Sequence, residues 1–144
     1  MAKFKPSERS SVKLERGSVT DEKNTSNFKI SLAYFDPEQP YASSFHHWQS
    51  VGLLSRAMET PQGFCKRPLR QQIDGDKFAV YQSFPPANKT KFEYPRHVPE
   101  DAEWARIHVN GPAVLVGHIV GDTFYLVFLD KTHKFWLTKR VTGK

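Results

Sequence analysis

From residue 28 onward the chain alternates apolar positions with polar or small ones: Phe28, Ile30, Leu32 and Tyr34 fall on one side of an extended segment. Asp36, Pro37 and Pro40 stop that alternation, so a half-buried first strand is predicted over residues 28–35. The period then lengthens. Ser43 and Ser44 are good helix caps, and Trp48, Val51, Leu54 and Met58 recur at three- and four-residue spacing. This pattern predicts one main helix running to about residue 58, with the stripe packed on a sheet, and a stop at Glu59, Pro61 and Gly63. Residues 69–73 and 77–84 fit a hairpin across Asp74, Gly75 and Asp76, although 69–73 fit a helical turn equally well. Proline-rich irregular stretches follow around Pro85 and Pro86 and again from Tyr94 to Pro99.

The last third is denser in β-branched and aromatic residues. Strands are predicted over residues 104–109, 113–120, 123–129 and 134–138, separated by turn residues at Asn110 and Gly111, Gly121 and Asp122, and Asp130 to His133. The expected fold class is α+β: an antiparallel sheet with a C-terminal β-meander and one main helix packed on one face. No internal repeat interrupts it. Residues 1–27 hold six basic and four acidic residues with no helical or alternating period, and are expected to be a disordered basic arm before a single domain of residues 28–144.

At 144 residues the chain suits one core, and its 11 Phe, 5 Tyr and 3 Trp are bulky enough to fill it. A single cysteine, Cys65, excludes an intrachain disulfide framework and multi-thiolate metal sites, and it lacks an evident base partner. With neither a membrane-length apolar run nor a signal-peptide pattern, a cytoplasmic protein with no membrane partner is expected. The formal charge of +6 points towards nucleic acid, but it is unevenly spread. Residues 28–130 hold ten basic and eleven acidic residues, whereas residues 131–144 hold five basic and none acidic. The excess therefore describes a local phosphate-facing patch or a flexible basic tail, not a domain coated in positive charge.

Strand register converts this pattern into a candidate site. With Gly121 and Asp122 as a two-residue turn, Val120 pairs with Thr123, His118 with Tyr125 and Val114 with Leu129. The almost wholly apolar face of Val114, Val116, His118, Val120, Thr123, Tyr125, Val127 and Leu129 is then the expected seat of the helix, joined by Ala105, Ile107 and Val109. The other face carries Trp104, Arg106, His108, Leu115, Gly117, Ile119, Phe124, Leu126 and Phe128. Arg106, His108, Asp130 and His133 gather near one end of that face, with Asp130 paired to His133. Two histidines can serve as base and acid in RNA transesterification, a carboxylate can orient one imidazole, and an arginine can grip the phosphate. Exposed Phe128 or Phe135 is placed to stack a base, as is Trp136 if the last strand twists, and Lys131, Lys134, Lys139 and Arg140 supply attraction for the backbone. A β-bulge at Gly117 would undo this geometry and promote His118, otherwise a core histidine, with His97 and Tyr125 as lesser candidates. His108, Asp130 and His133 also match a two-histidine, one-carboxylate metal set, although neither a histidine-rich motif nor a dense set of carboxylates accompanies it. The adjacent pair His46 and His47 points in two directions on a helix and makes a poor bidentate site. Gly-rich phosphate loops and nucleophile elbows are absent.

The segment from Trp104 to Trp136 resembles the C-terminal part of small bacterial toxin-antitoxin-type proteins, and is loosely similar to RelE/barnase-like ribonuclease toxins. The likeness covers about a quarter of the chain and rests on the meander together with Arg106, His108, Asp130, His133 and Lys134. It implies a small, metal-independent ribonuclease that needs no cofactor, binds RNA, and is neutralised by a cognate antitoxin protein. The competing expectation is a non-enzymatic interaction module, an antitoxin, immunity or adaptor protein whose aromatic sheet face, including exposed Phe124 and Phe128, binds a protein partner.

Overall fold

The computed structural model describes residues 26–137. The fold is α+β. Strands β1 (Lys29–Ser31), β2 (Phe78–Gln82), β3 (Glu103–Asn110), β4 (Ala113–Val120) and β5 (Thr123–Asp130) form one sheet in the order β1-β5-β4-β3-β2. Strand β1 runs parallel to β5, and every other pair is antiparallel. Because β1 and β2 occupy opposite edges, the chain between them must cross the full width of the sheet. It does so through helices α1 (Phe45–Ser50) and α2 (Leu54–Phe64). The three strands of the meander agree with the sequence pattern to within a residue at either end.

The single helix expected from residues 43 to 58 is instead two. Ser44 caps α1 by accepting a hydrogen bond from the His47 backbone N–H. Gly52 then takes φ 79°, and the backbone bonds from Gly52 to Gln49 and from Leu53 to Trp48 close the helix as a Schellman turn. The break rotates α2 away from the continuous stripe. Trp48, Ala57 and Pro61 are buried, whereas Val51 and Met58 remain 45% and 49% exposed. Pro61 does not end α2, which continues to Phe64. Of the two readings of residues 69–73, the helical one holds, as a 3-10 turn over Leu69–Gln72. The first strand is shorter than its alternation implied, because Phe35 hydrogen bonds back to Leu32 and turns the chain away.

The expected assignment of faces is reversed along β4 and over residues 124–127 of β5, whereas Ala105, Ile107, Val109 and Leu129 lie on the helix side, and Trp104 and Phe128 on the other, as expected. The helices cover Ala105, Ile107, Val109, Leu115, Ile119, Phe124, Leu126 and Leu129, which form a core with Phe28, Trp48 and Phe78. Trp104, Val114, Val116 and Phe128 lie on the opposite face, under Phe92, Val98 and Phe135. Two irregularities change the parity. One falls between His108 and Asn110, where Asn110 pairs with Ala113 around Gly111 and Pro112. The other falls between Val116 and Gly117, so Val114 pairs with Asp130 rather than with Leu129, while the pairs Val120–Thr123 and His118–Tyr125 stand as expected. At Gly117 a Cβ would collide with the Tyr125 carbonyl oxygen, so the close approach of β4 and β5 at the bulge requires glycine. Both faces are buried, and β4 is accordingly apolar on both sides along nearly its whole length.

Candidate functional site

The end of the sheet formed by the last residues of β3 and β5 and the first of β4 brings part of the expected constellation together. Val114 pairs with His108 on one side and with Asp130 on the other, so all three share the second face, and Arg106 lies there two residues before His108. His108 and Asp130 are thus about two strand spacings apart, roughly 10 Å. Their partners differ from those expected. The Asp130 side chain is fully buried, and its two oxygens accept the Lys134 and Phe135 backbone N–H groups at 2.9 and 2.8 Å. Burial raises its carboxyl above the ordinary value, opposed by those backbone donors and by nearby His133. Asp130 therefore anchors the chain after β5 instead of orienting an imidazole, and its expected hairpin pairing with His133 does not form. His133 stands on the turn with φ 62°.

Pinned in this way, the chain folds back over the second face. Lys91 and Leu137 donate to the Lys134 and Lys89 carbonyls, so the described residues 134–137 run beside residues 89–91 and form no fourth strand of the meander. Phe135 enters the core at 1% exposure and Phe128 is fully buried, which removes both as base-stacking surfaces. Phe124 is also fully buried, so the aromatic sheet face expected of an interaction module is not at the surface. Trp136 is half-buried and stacks on Tyr81, with ring centroids 4.8 Å apart and planes 17° from parallel. Tyr81 was not singled out by the sequence pattern, where it is only one position in an alternating strand. Burial raises its phenol, and the Arg106 guanidinium beside it opposes that shift.

Arg106 donates from Nη1 to the Asp76 carbonyl at 2.6 Å. The His108 ring nitrogen Nε2 lies 2.7 Å from the Gly111 carbonyl oxygen. A carbonyl oxygen can only accept, so Nε2 carries the proton and Nδ1 is the free acceptor of the neutral ring. Lys131 lies just beyond β5, with Nζ 3.1 Å from His47 Nε2, while Lys134 is half-buried. Lys139 and Arg140 lie outside the described residues, as do residues 1–25 of the expected arm.

The three lesser candidates meet elsewhere on the second face, around Tyr34. The Tyr34 ring lies 5.8 Å from His97, 5.2 Å from His118 and 5.3 Å from Tyr125, and His118 stacks on Tyr125 at 5.1 Å. His97 is exposed and contacts the Tyr34 carbonyl oxygen through Nε2 at 2.8 Å. His118 is 1% exposed, and its Nδ1 has no hydrogen-bond partner among the described residues. Burial, with a smaller contribution from His97, pushes its pKa below the ordinary imidazole value. No substrate can touch this ring while the aromatic cage around it is closed, so His118 belongs to the core even though the bulge occurs.

His108, Asp130 and His133 do not converge as a metal set, and among the described residues no three His, Cys, Asp or Glu side chains do. Cys65 is exposed, and its thiol donates to the Pro61 carbonyl. No helix among the described residues is long and apolar enough to cross a membrane. Set against known protein families, curated proteins and solved structures, the chain matches none.

Proposed function

We propose that this protein is a metal-independent endoribonuclease of toxin type, acting where the ends of β3 and β5 meet on the second face. One observation carries this reading: Arg106 and His108 share that face in register with the buried Asp130 that holds the turn bearing His133 and Lys134. A guanidinium and two imidazoles thereby border one end of the sheet, with the half-buried Tyr81 and Trp136 stack on the same side.

In this scheme the free Nδ1 of His108 takes the proton of a ribose 2′-hydroxyl as its oxygen bonds to phosphorus. His133 gives a proton to the departing 5′-oxygen as the P–O5′ bond breaks, which leaves a 2′,3′-cyclic phosphate and a 5′-hydroxyl. Arg106 stabilises the charge gathering on the phosphoryl oxygens. Asp130 is a positioning residue. Lys134 and Trp136 hold the flanking RNA, and a cognate antitoxin protein would cover the same surface.

The test incubates protein purified free of any partner with total RNA in EDTA, and compares wild type with His108→Ala and His133→Ala. Cleavage by wild type alone, leaving cyclic phosphate ends, is expected. RNA left intact by wild type, or cut equally by both variants, overturns the assignment, and cleavage that EDTA abolishes points to a metal mechanism instead.

A further inference from the structure

A second feature of the same sheet end lies outside the catalytic constellation. The backbone of Ser43 bridges to Leu129, which lays the loop before α1 alongside the end of β5. Between that loop and the turn after β5 opens a cleft of about 410 Å³, lined by Pro37, Pro40 and residues 41–44 on one side and by Lys131 and Thr132 on the other, with His47 at its edge. Among the described residues no acidic side chain lines it. Within it the Lys131 ammonium hydrogen bonds to His47 Nε2 at 3.1 Å, and among the described residues no carboxylate forms a salt bridge with Lys131. An ammonium can only donate, so Nε2 is the acceptor in this bond and carries no proton; Lys131 is then, among the described residues, the one charged side chain lining the cleft, and an anion that accepts from its remaining N–H groups supplies the missing counter-charge. The hydroxyls of Ser44 and Thr132 add neutral donors: Ser44 already accepts from the His47 backbone N–H, which leaves its O–H free to point outward. The cleft is also held firmly, because Asp130 clamps the chain on the far side of the Lys131 turn and Ser43 clamps the near side.

We propose that this cleft is a phosphate subsite, in which the Lys131 ammonium, oriented by His47 Nε2, grips a phosphoryl oxygen and Ser44 and Thr132 complete the cradle. Its occupant is a phosphodiester of the RNA strand cut at the sheet end, so this assignment rests on the function proposed above. Strands β3 and β5 are separated only by β4, so Lys131 lies roughly 10 Å from the His108 strand, within reach of a phosphate next to the scissile one or one further along. A free phosphoryl group offers the same oxygens, and the two sources are separated experimentally.

The full chain carrying His108→Ala, which cannot cut its ligand, is titrated with a single-stranded oligoribonucleotide over a range of salt concentrations, with and without Lys131→Ala or His47→Ala. Losing one phosphate contact on a single strand is expected to flatten the slope of log affinity against log salt by about 0.7. Affinity should fall roughly three- to tenfold at low salt, and Lys131→Arg should retain most of it. In parallel, the His47 ring resonances are followed by NMR with inorganic phosphate and with the oligonucleotide. Movement with the oligonucleotide alone identifies a strand phosphate, and equal movement with inorganic phosphate identifies a free anion site. An unchanged slope in Lys131→Ala together with unmoved His47 resonances overturns the subsite. Neither measurement reads cleavage. A flattened slope beside intact RNA in the EDTA assay keeps the subsite and rejects the nuclease, and cleaved RNA with an unchanged slope does the reverse.

Discussion

Replacing Asp130 separates two roles that one carboxylate can play. Its oxygens accept the Lys134 and Phe135 backbone N–H groups, and the Phe135 donor is buried. In Asp130→Ala both donors lose their acceptor, at a cost of about 1–3 kcal/mol for each one left unsatisfied away from water. Relief of the buried carboxylate returns part of that, so the net loss should be about 2–4 kcal/mol. For a domain of this size that corresponds to a fall in Tm of roughly 10 °C. Asp130→Asn keeps one acceptor and presents an N–H₂ group to the other donor, which costs about 1–2 kcal/mol. Urea unfolding followed by tryptophan fluorescence should show lower midpoints with an unchanged m-value. Burial raises the Asp130 pKa in the folded state, so its stabilising contribution is full below the ordinary carboxylate range and is lost as pH rises through the raised value. The gap between wild type and Asp130→Asn should therefore narrow across that window. An Asp130→Ala protein that unfolds within about 0.5 kcal/mol of wild type while losing RNA cleavage would refute this reasoning, and would return Asp130 to the role of orienting an imidazole.

Three further outcomes follow from the packing. His118 is caged by aromatic rings with an Nδ1 unpartnered among the described residues and a lowered pKa, so its contribution is present above the ordinary imidazole range and is lost as pH falls through the lowered value. His118→Phe should gain about 1 kcal/mol at neutral pH, with the advantage growing as acid is added; a denaturation series across pH in which the two proteins stay parallel would contradict it. Gly117→Ala drives a Cβ into the Tyr125 carbonyl, so the bulge must shift and stability should fall by more than about 2 kcal/mol; a thermal melt within 2 °C of wild type would show that this approach is not tight. Phe135→Ala should cost about 3–5 kcal/mol, whereas Trp136→Ala should weaken RNA binding with a smaller loss of stability; the reverse ordering in paired melts and binding titrations would place Phe135, not Trp136, at the surface.

Much of the site was visible in the linear pattern because Arg106 and His108 are two residues apart on one strand, and strand alternation alone puts them on one face. Asp130 joined them for a different reason from the one expected. The two pairing shifts flank Val114, and together they leave His108 and Asp130 on its two sides. Tyr81 and Trp136 meet through a contact between segments 55 residues apart in sequence, which no local period encodes. His47, adjacent to His46 and set aside as a poor bidentate site, gains a partner in Lys131 only because the loop before α1 lies along β5.

The sequence by itself determined what depends on neighbours along the chain: the meander strands, the turns at Gly111 and Gly121, and the Ser44 cap. Each of these follows from backbone preference and local hydrogen bonding, which act over a few residues. The tertiary structure alone decided which sheet face the helices cover, where the bulges fall and which side chains remain exposed. Both faces are apolar because distant segments bury both, and a strand apolar on two sides carries no mark of which covering is helical. Bulges compound this, since one extra residue reverses every position beyond it, and its place is set by close approaches such as Gly117 to Tyr125, which exist only once the strands have met.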